Sequence, residues 1–143
     1  MRIYRIGNYF YRKKIPVLPL ICDGLTRLLM NCVVYSSSSI GKGTSLAYGG
    51  IAVVIHKNAV IGNNCIIGAN VTIGGKAGSL NVPRIGDNVN ISTGAKVLGD
   101  IKIGSNSVIG ANAVVISDVP ENCVVAGMPA KVIKENIEPK DYL

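Results

Sequence analysis

A six-residue period runs through the middle of this chain. Eleven positions spaced by six, from 55 to 115, carry Ile or Val ten times, and only Ser79 departs from the series. Neither the 3.6-residue period of a helix nor the two-residue period of a strand produces this spacing. The pattern predicts hexapeptide units, each forming one flat face of a coil, with three units completing a turn of about 18 residues. The aliphatic positions are Ile55, Ile61, Ile67, Ile73, Ile85, Ile91, Val97, Ile103, Ile109 and Val115.

Small residues surround the aliphatic positions, as a narrow coil requires. Mostly small side chains stand four residues after each aliphatic residue, and Gly follows directly at many corners, where it accepts backbone angles that other residues resist. The chain is 48% hydrophobic but only 5% aromatic, with no Trp. Stacked layers of Ile and Val explain this composition, because they leave no room for rings. The corner glycines are Gly62, Gly68, Gly74, Gly86, Gly104 and Gly110.

The chain divides into three segments. Residues 1–35 lack the period and are predicted to form a short helical cap over the open end of the coils. Residues 36–134 carry the period and are predicted to form about five coils, and residues 135–143 form a polar C-terminal tail. Within the cap, an amphipathic helix is predicted from residues that recur at spacings of three and four: Leu25, Leu28, Leu29 and Cys32.

Positive charge is concentrated in the cap. Residues 1–35 hold six basic residues against Asp23 alone, so they carry +5 of the formal net charge of +7. One interpretation is a solvated face. The other is attraction to an anionic surface, such as lipid head groups or a phosphorylated glycan carrier, through peripheral membrane contact. The apolar stretch of the cap includes two prolines, Asp23 and Arg27, and falls short of a membrane span.

Two irregularities interrupt the period. Near residues 46–54 the spacing between aliphatic positions lengthens from six to nine, which predicts a bulge of three residues. Across residues 76–84 the pattern disappears, which predicts a loop that leaves the coil and returns. Insertions in repeat proteins gather on the working face, so both loops are candidates for the functional site.

The repeat and its ending resemble a known family. Residues 59–62, 71–75, 94–99 and 126–131 are similar to motifs of the hexapeptide acyltransferases, in the serine acetyltransferase-like group, which includes homologues that O-acetylate surface polysaccharides. The resemblance covers about residues 36–134. It implies an all-β repeat fold, the left-handed parallel β-helix, and a homotrimer that binds acetyl-coenzyme A in clefts between subunits. The left hand comes from the family, since parallel crossovers are normally right-handed.

The same resemblance reveals a departure. Serine acetyltransferases carry a catalytic histidine, preceded by Asp, in the bulged loop, and the matching positions here are Tyr48 and Gly49. A second family histidine, before a proline, matches Val82. We therefore expect an O-acetyltransferase that acts on a sugar hydroxyl in surface polysaccharide or glycan biosynthesis. The alternatives are a serine O-acetyltransferase and a catalytically silent structural or regulatory trimer.

His56 is the chain's only histidine and directly follows the bulged loop. Histidine is the side chain best suited to proton transfer near neutral pH, so His56 is the candidate general base. The alternative is an ordinary exposed corner residue. Tyr48, in the loop itself, is a candidate hydrogen-bond partner for substrate or base, with a packing contact in the trimer as its alternative.

Stacked small residues predict a track for coenzyme A. Residues 18 apart are predicted to stack on successive coils about 4.8 Å apart, so Lys57 begins a column about 14 Å long beside His56. In the resembling family, positions that match three members of this column line the cofactor cleft. A basic residue near the far end, Lys131 or equally Lys134, is a candidate contact for the phosphates. The three column members are Gly75, Thr93 and Ala111.

Other classes of function are disfavoured. The four cysteines have no metal-ligand spacing, and they are predicted to be buried, reduced thiols in a cytoplasmic protein without a bound metal. The N-terminus has no continuous apolar segment typical of a secretory signal. Nucleic-acid binding is not expected, because the basic charge lacks an aromatic platform or a recognition helix.

Overall fold

The computed structural model describes residues 1–77, 81–138 and 141–142. Helices α1 (Arg2–Arg12) and α2 (Val17–Met30) open the chain. In the described part of the chain, fifteen short strands follow, with a one-turn 3-10 helix at Ala47–Gly50. The strands are β1 (Val33–Val34), β2 (Ser39–Ile40), β3 (Ser45–Leu46), β4 (Val54–Ile55), β5 (Val60–Ile61), β6 (Ile66–Ile67), β7 (Thr72–Gly74), β8 (Arg84–Ile85), β9 (Asn90–Ile91), β10 (Lys96–Leu98), β11 (Lys102–Ile103), β12 (Val108–Ile109), β13 (Val114–Val115), β14 (Val124–Gly127) and β15 (Ala130–Lys134).

Successive strands belong to three different sheets, so the chain winds around a triangular prism. Sheet A has the order β1-β4-β7-β10-β13, sheet B has β11-β8-β5-β2, and sheet C has β15-β14-β12-β9-β6-β3. The first four coils each contribute one strand to every sheet, and the pairs between coils are parallel. The hexapeptide repeat makes this stack a left-handed β-helix with a short N-terminal helical region, which confirms the predicted fold class.

The predicted aliphatic positions form the core. Residues such as Ile67 and Ile91 are completely buried, as are the small corner residues Ala59, Cys65 and Ala95. Position 79 lies outside the described residues. The inward side of every coil therefore consists of an aliphatic layer and a small-residue layer, which accounts for the near absence of rings in the core.

The strand registers show how much of the chain lies outside the coils. In a regular turn, Val54 pairs with Thr72, exactly three hexapeptide units further along the chain. The turn that contains the 3-10 helix is longer by three positions, because Ser45 pairs with Ile66. Three residues of this turn therefore lie outside the regular coil. The turn that contains residues 76–84 is longer by one whole unit, because Thr72 pairs with Lys96. One hexapeptide unit therefore leaves the coil in the second loop, of which residues 78–80 lie outside the described part.

The helical cap is fastened to the first coil by polar contacts. The Tyr4 hydroxyl donates a hydrogen bond to the Ser38 carbonyl at 2.7 Å, and Asn8 Nδ2 donates to the Ser36 carbonyl at 2.7 Å. Tyr4 belongs to the main core cluster. The coil stack begins at Val33, within the segment that the sequence analysis assigned to the cap. None of the helices in the described residues is long and apolar enough to cross a membrane.

The predicted apolar side of α2 is only partly buried. Cys32, just after the helix, is buried, but Leu25, Leu28 and Leu29 are exposed. The residues of α2 that are buried are Pro19, Cys22 and Thr26. The helix therefore packs through small side chains, because Gly7 of α1 lies against Cys22 and Ser36 with no room for a Cβ atom.

The C-terminus continues the fold beyond the period. Strands β14 and β15 form an antiparallel hairpin at the edge of sheet C, which the hexapeptide pattern did not predict. The segment predicted as a polar tail is anchored, because Ile137 is buried against Val108 and Val124. The tail therefore covers part of the outer surface of sheet C.

Coils approach so closely at the glycine corners that a methyl group does not fit. A Cβ atom added to Gly62 would lie 2.4 Å from the Gly86 carbonyl oxygen, whereas one added to Gly24 in α2 would meet nothing within 4 Å. We expect Gly62→Ala to lower the free energy of unfolding by about 1–3 kcal/mol. The matched change Gly24→Ala is expected to raise it by roughly 0.5–1 kcal/mol, since Ala is the better helix former. Urea denaturation measures both, and effects of the same sign would contradict this account.

Candidate active site

Five of the six predicted site residues, all except Lys131, lie on two edges of the prism. The turns from sheet A to sheet B, which include residues 56–59, 75–77 and 81–83, form what we name the A–B edge. The turns from sheet C to sheet A, which include residues 47–53, 92–95 and 110–113, form the C–A edge. Sheet A lies between these edges.

His56 stands on the A–B edge, in the tight turn between β4 and β5. Its backbone N–H donates to the Ile73 carbonyl at 2.9 Å, which holds the start of the turn against the next coil. The side chain is half-buried, and the Asn58 backbone N–H donates to its Nδ1 at 3.2 Å. One coil earlier, the Ser37 hydroxyl donates to the Lys57 carbonyl at 3.1 Å.

The hydrogen bond at Nδ1 has a chemical consequence. A neutral imidazole whose Nδ1 accepts an N–H carries its proton on Nε2, so the other ring nitrogen is a donor in this geometry. A general base needs a free lone pair facing the hydroxyl. Proton acceptance by Nε2 of His56 therefore requires the Asn58 N–H to release Nδ1, which costs about 0.5–1.5 kcal/mol for an ordinary hydrogen bond.

Tyr48 occupies the opposite edge from His56. It lies in the three-residue bulge on the C–A edge, with a left-handed φ of 54°, and its side chain is 76% exposed. The loop is held from beneath, where Gly50 packs against the Leu46 side chain. Tyr48 therefore projects from the prism instead of packing within its own chain.

The predicted small-residue column is wrong, because the turns are not all of equal length. Lys57 and Gly75 are stacked on the A–B edge by the register of β4 with β7. The longer turn that follows then moves Thr93 to the C–A edge, where its carbonyl accepts from the Asn112 N–H at 3.0 Å. The next coil places Ala111 beside Thr93. The candidate cofactor residues thus form two groups, Gly75 with His56 and the other two with Tyr48.

Lys131 lies apart from both groups. It is exposed on β15, the antiparallel strand at the edge of sheet C. The alternative, Lys134, is on the same strand and its ammonium donates to the Tyr142 hydroxyl at 3.1 Å. Because the Lys134 ammonium already makes this hydrogen bond, Lys131 is the better candidate for a phosphate contact.

A polar groove of about 330 Å³ opens on the A–B edge next to the His56 turn. It is lined by Asn58, Asn81, Val82, Arg84 and Asp100, and the Asn81 amide donates to the Asp100 carboxylate at 2.8 Å. Asn81, Val82 and Arg84 lie in the 76–84 loop, which the sequence indicated as a candidate for the functional site. Asn58 and Asp100 were not predicted, because they come from separate parts of the sequence that only the fold brings together.

The buried cysteines do not supply a nucleophile. All four are free thiols, and burial raises the pKa of the Cys65 thiol and of the Cys32 thiol. A thiol that remains protonated at neutral pH is a poor nucleophile. These cysteines fill small core positions, so acyl transfer through a cysteine has no support among them.

Known proteins share both the repeat and the fold. The family model described as bacterial transferase hexapeptide (six repeats) matches residues 83–117. A serine acetyltransferase of Synechococcus elongatus is 37% identical over 97% of this chain and 59% of its own length. The chain is a hexapeptide-repeat protein of the serine acetyltransferase-like group.

Solved structures of this group superpose closely. The serine acetyltransferase of Brucella abortus in complex with coenzyme A has a TM-score of 0.89 and 30% identity, over 94% of this chain and 54% of that one. The serine acetyltransferase of Neisseria gonorrhoeae in complex with serine has a TM-score of 0.85 and 34% identity, over 92% and 54%. The chain thus spans little more than half the length of these relatives.

Proposed function

We propose that this protein transfers an acetyl group from acetyl-coenzyme A to a hydroxyl oxygen. The observation that carries the proposal is its similarity to serine acetyltransferases over 92–97% of this chain. One relative was solved with coenzyme A and another with serine. These complexes support acetyl-coenzyme A as the acyl donor.

Serine is the better-supported acceptor, and it replaces the sugar that the sequence analysis favoured. The named relatives are serine acetyltransferases. The polar groove on the A–B edge offers the Arg84 guanidinium and the Asp100 carboxylate. A guanidinium pairs well with a carboxylate, and a carboxylate with an ammonium, so the two together suit an amino acid zwitterion. A neutral sugar has neither a carboxylate to pair with the guanidinium nor an ammonium to pair with the carboxylate.

In a homotrimer, the C–A edge of one copy would lie beside the A–B edge of another copy. The outward side of sheet B presents Arg84 and Lys102, and part of sheet C is covered by Ile137. Sheet A has the most apolar uncovered surface, and its one lysine turns aside to donate to the Asn70 carbonyl at 2.5 Å. Its outward positions are Val33, Val54, Thr72, Lys96 and Val114.

If the three copies pack through sheet A, the C–A edge of each copy lies beside the A–B edge of the next. A cyclic contact of this kind pairs two different surfaces and closes into a ring. Each cleft would then hold Tyr48, Thr93 and Ala111 from one copy. The neighbouring copy would supply His56 and Gly75. The single chain keeps these groups on opposite edges of sheet A, so the proposed site is complete only between copies.

In the proposed reaction, His56 takes the proton of the acceptor hydroxyl as its oxygen attacks the thioester carbonyl carbon. A carbon–oxygen bond forms, the carbon–sulfur bond breaks, and the proton passes to the departing thiolate. Small residues at the cleft, such as Gly75 and Ala111, leave backbone N–H and C=O groups open to an extended ligand. Lys131 is the proposed contact for the coenzyme A phosphates.

A catalytically silent trimer is the second candidate. The hydrogen bond from the Asn58 N–H to Nδ1 of His56 favours it, because a silent homologue needs no free lone pair at that ring. The presence of Gly49 and Val82 where the family has histidines favours it as well. Such a protein would keep the scaffold and lose turnover.

An acceptor screen with thiol release as readout tests the proposal. We expect release with serine, and much less with nucleotide sugars. Arg84→Gln is expected to raise KM for serine by about tenfold or more with little change in kcat, through loss of the charged hydrogen bond. Lys102→Gln, its register neighbour on sheet B, is the matched control. Coenzyme A binding by calorimetry without thiol release from any acceptor would favour the silent trimer, and release with sugars alone would restore the sugar acceptor.

A further inference from the structure

The outer side of α2 is an unusually apolar surface. Leu28 is 81% exposed, Leu20 71% and Leu29 67%, and other large aliphatic residues on the same helix are also exposed. Soluble surfaces expose single apolar side chains routinely, but a contiguous group marks a contact site. The full set is Val17, Leu18, Leu20, Ile21, Leu25, Leu28 and Leu29.

The helical period places this set on one side. Leu18, Ile21, Leu25 and Leu28 follow spacings of three, four and three, which align along one face of a helix. The side that packs on the protein carries Pro19 and other small residues instead. With 14 residues, α2 is about 21 Å long. We define the exposed set as the apolar face of α2.

Three basic residues lie in the chain just before this face, and the one acidic residue of the cap is hydrogen-bonded to the first coil. Arg12 ends α1, Lys13 and Lys14 follow it, and all three are exposed. Asp23, the only acidic residue among residues 1–35, accepts hydrogen bonds from the Ser36 N–H at 2.8 Å and from the Ser36 hydroxyl at 2.5 Å. Its carboxylate is therefore used to hold α2 on the first coil.

A groove joins the cations to the apolar residues. It has a volume of about 710 Å³, with Arg12 and Lys14 beside Tyr11, Ile15 and Leu20. Asp23 also lines it, with its carboxylate hydrogen-bonded to Ser36. An apolar groove with cations along it matches a molecule that has a hydrocarbon part and an anionic head. The anionic head and the hydrocarbon part of a phospholipid are such a pair.

We infer that the helical cap binds the surface of an anionic lipid bilayer, with the apolar face of α2 inserted among the lipids and the cations at the head groups. An amphipathic helix that lies in the plane of the interface binds through buried apolar area together with attraction to anionic lipids. A second copy of this chain is a poor occupant, because two caps of net charge +5 would repel each other. The inference does not depend on the proposed acetyl transfer.

Hydrogen bonds from α1 to the first coil fix the orientation of the cap on the coil stack. Arg5 donates to the Ile40 carbonyl at 2.6 Å and to the Gly41 carbonyl at 2.5 Å, in addition to the contacts of Tyr4 and Asn8. Both carbonyls belong to the first coil. Binding through the cap would therefore hold the coil stack at a defined angle to the membrane, instead of on a flexible tether.

Co-sedimentation of the whole chain with vesicles tests this inference. We expect binding to vesicles of phosphatidylcholine with phosphatidylglycerol, and much weaker binding to phosphatidylcholine alone. Lys13→Gln with Lys14→Gln should weaken binding by about thirtyfold, from about fivefold to sixfold for each cation lost near the surface. Leu25→Ser with Leu28→Ser should weaken it by at least about tenfold.

Two controls match these changes. Lys102→Gln removes an exposed cation from the coil stack, and Ile133→Ser removes an exposed aliphatic residue from β15. Neither should alter vesicle binding, and none of these variants should alter coenzyme A binding. Equal binding to neutral vesicles, equal loss in the controls, or no vesicle binding would each overturn the inference. Self-association without lipid that Leu25→Ser with Leu28→Ser abolishes would assign the face to a second copy.

Discussion

Replacing His56 by Asn is expected to lower the rate of acetyl transfer by a factor of about 10²–10⁴, the usual contribution of a general base. The Asn side chain has an oxygen near the position of Nδ1, so it can still accept the Asn58 N–H and preserve the turn. It has no group near the position of Nε2. Thiol release measures the rate, and calorimetry should give an unchanged affinity for coenzyme A.

The His56→Gln variant distinguishes two roles of the His56 imidazole, as a general base and as a hydrogen-bond donor. The Gln amide reaches the region of Nε2 and donates a hydrogen bond, but it does not take a proton at neutral pH. If His56 is the base, Gln and Asn variants lose similar amounts of activity. If Gln retains most of the rate while Asn does not, His56 acts as a donor and the proposed base is wrong. Unchanged turnover in both variants would remove His56 from the mechanism.

Val54→Lys is expected to dissociate the proposed trimer and to abolish the proposed acetyl transfer. Val54 is 40% exposed at the outward position of β4, near the centre of sheet A. In a threefold contact through sheet A, three new ammonium groups would be brought together without partners. Burial of unpaired charge costs several kcal/mol for each group, which exceeds what an apolar contact of this size recovers. Sedimentation velocity measures the oligomeric state, and thiol release the activity.

The matched control is Val60→Lys, which places the same side chain at the corresponding outward position of sheet B. It should leave the oligomeric state unchanged, and only that readout is compared, because Val60 lies beside Arg84 on sheet B. A Val54→Lys protein that remains a trimer would exclude sheet A as the contact. A monomer with full activity would contradict a site shared between copies, even if sheet A forms the contact.

The core residues can be predicted from the sequence because each inward position is defined by residues close to it in the chain. Each aliphatic position, such as Ile67 or Val97, needs only the residues of its own hexapeptide to define an inward side. The following Gly and the small residue in the next corner then allow adjacent coils to approach. For the same reason the bulge near residues 46–54 could be counted directly, since three extra residues change the spacing by three.

The candidate site was predicted only in part because it depends on pairing between distant strands. The interval from Ile73 to Ile85 equals two hexapeptide units, and the period alone interprets it as two regular faces of the coil. In the structure this interval belongs to a turn that is one unit longer than the others, so Thr93 and Ala111 move to a different edge from Gly75. The groove with Arg84 and Asp100 could not be predicted, because Asp100 comes from a later turn and only the fold brings it to the returning end of that loop.

By itself, the sequence determined the prism, its aliphatic layers and the two places where the chain leaves it. Each of these features depends only on residues that are close together in the sequence, so the six-residue period is enough to predict them. Tertiary structure alone decided which corners are stacked, which ring nitrogen of His56 accepts a hydrogen bond and which side of α2 faces solvent. Each of these depends on hydrogen bonds and packing between segments that are far apart in the chain, and a local pattern carries no information about them.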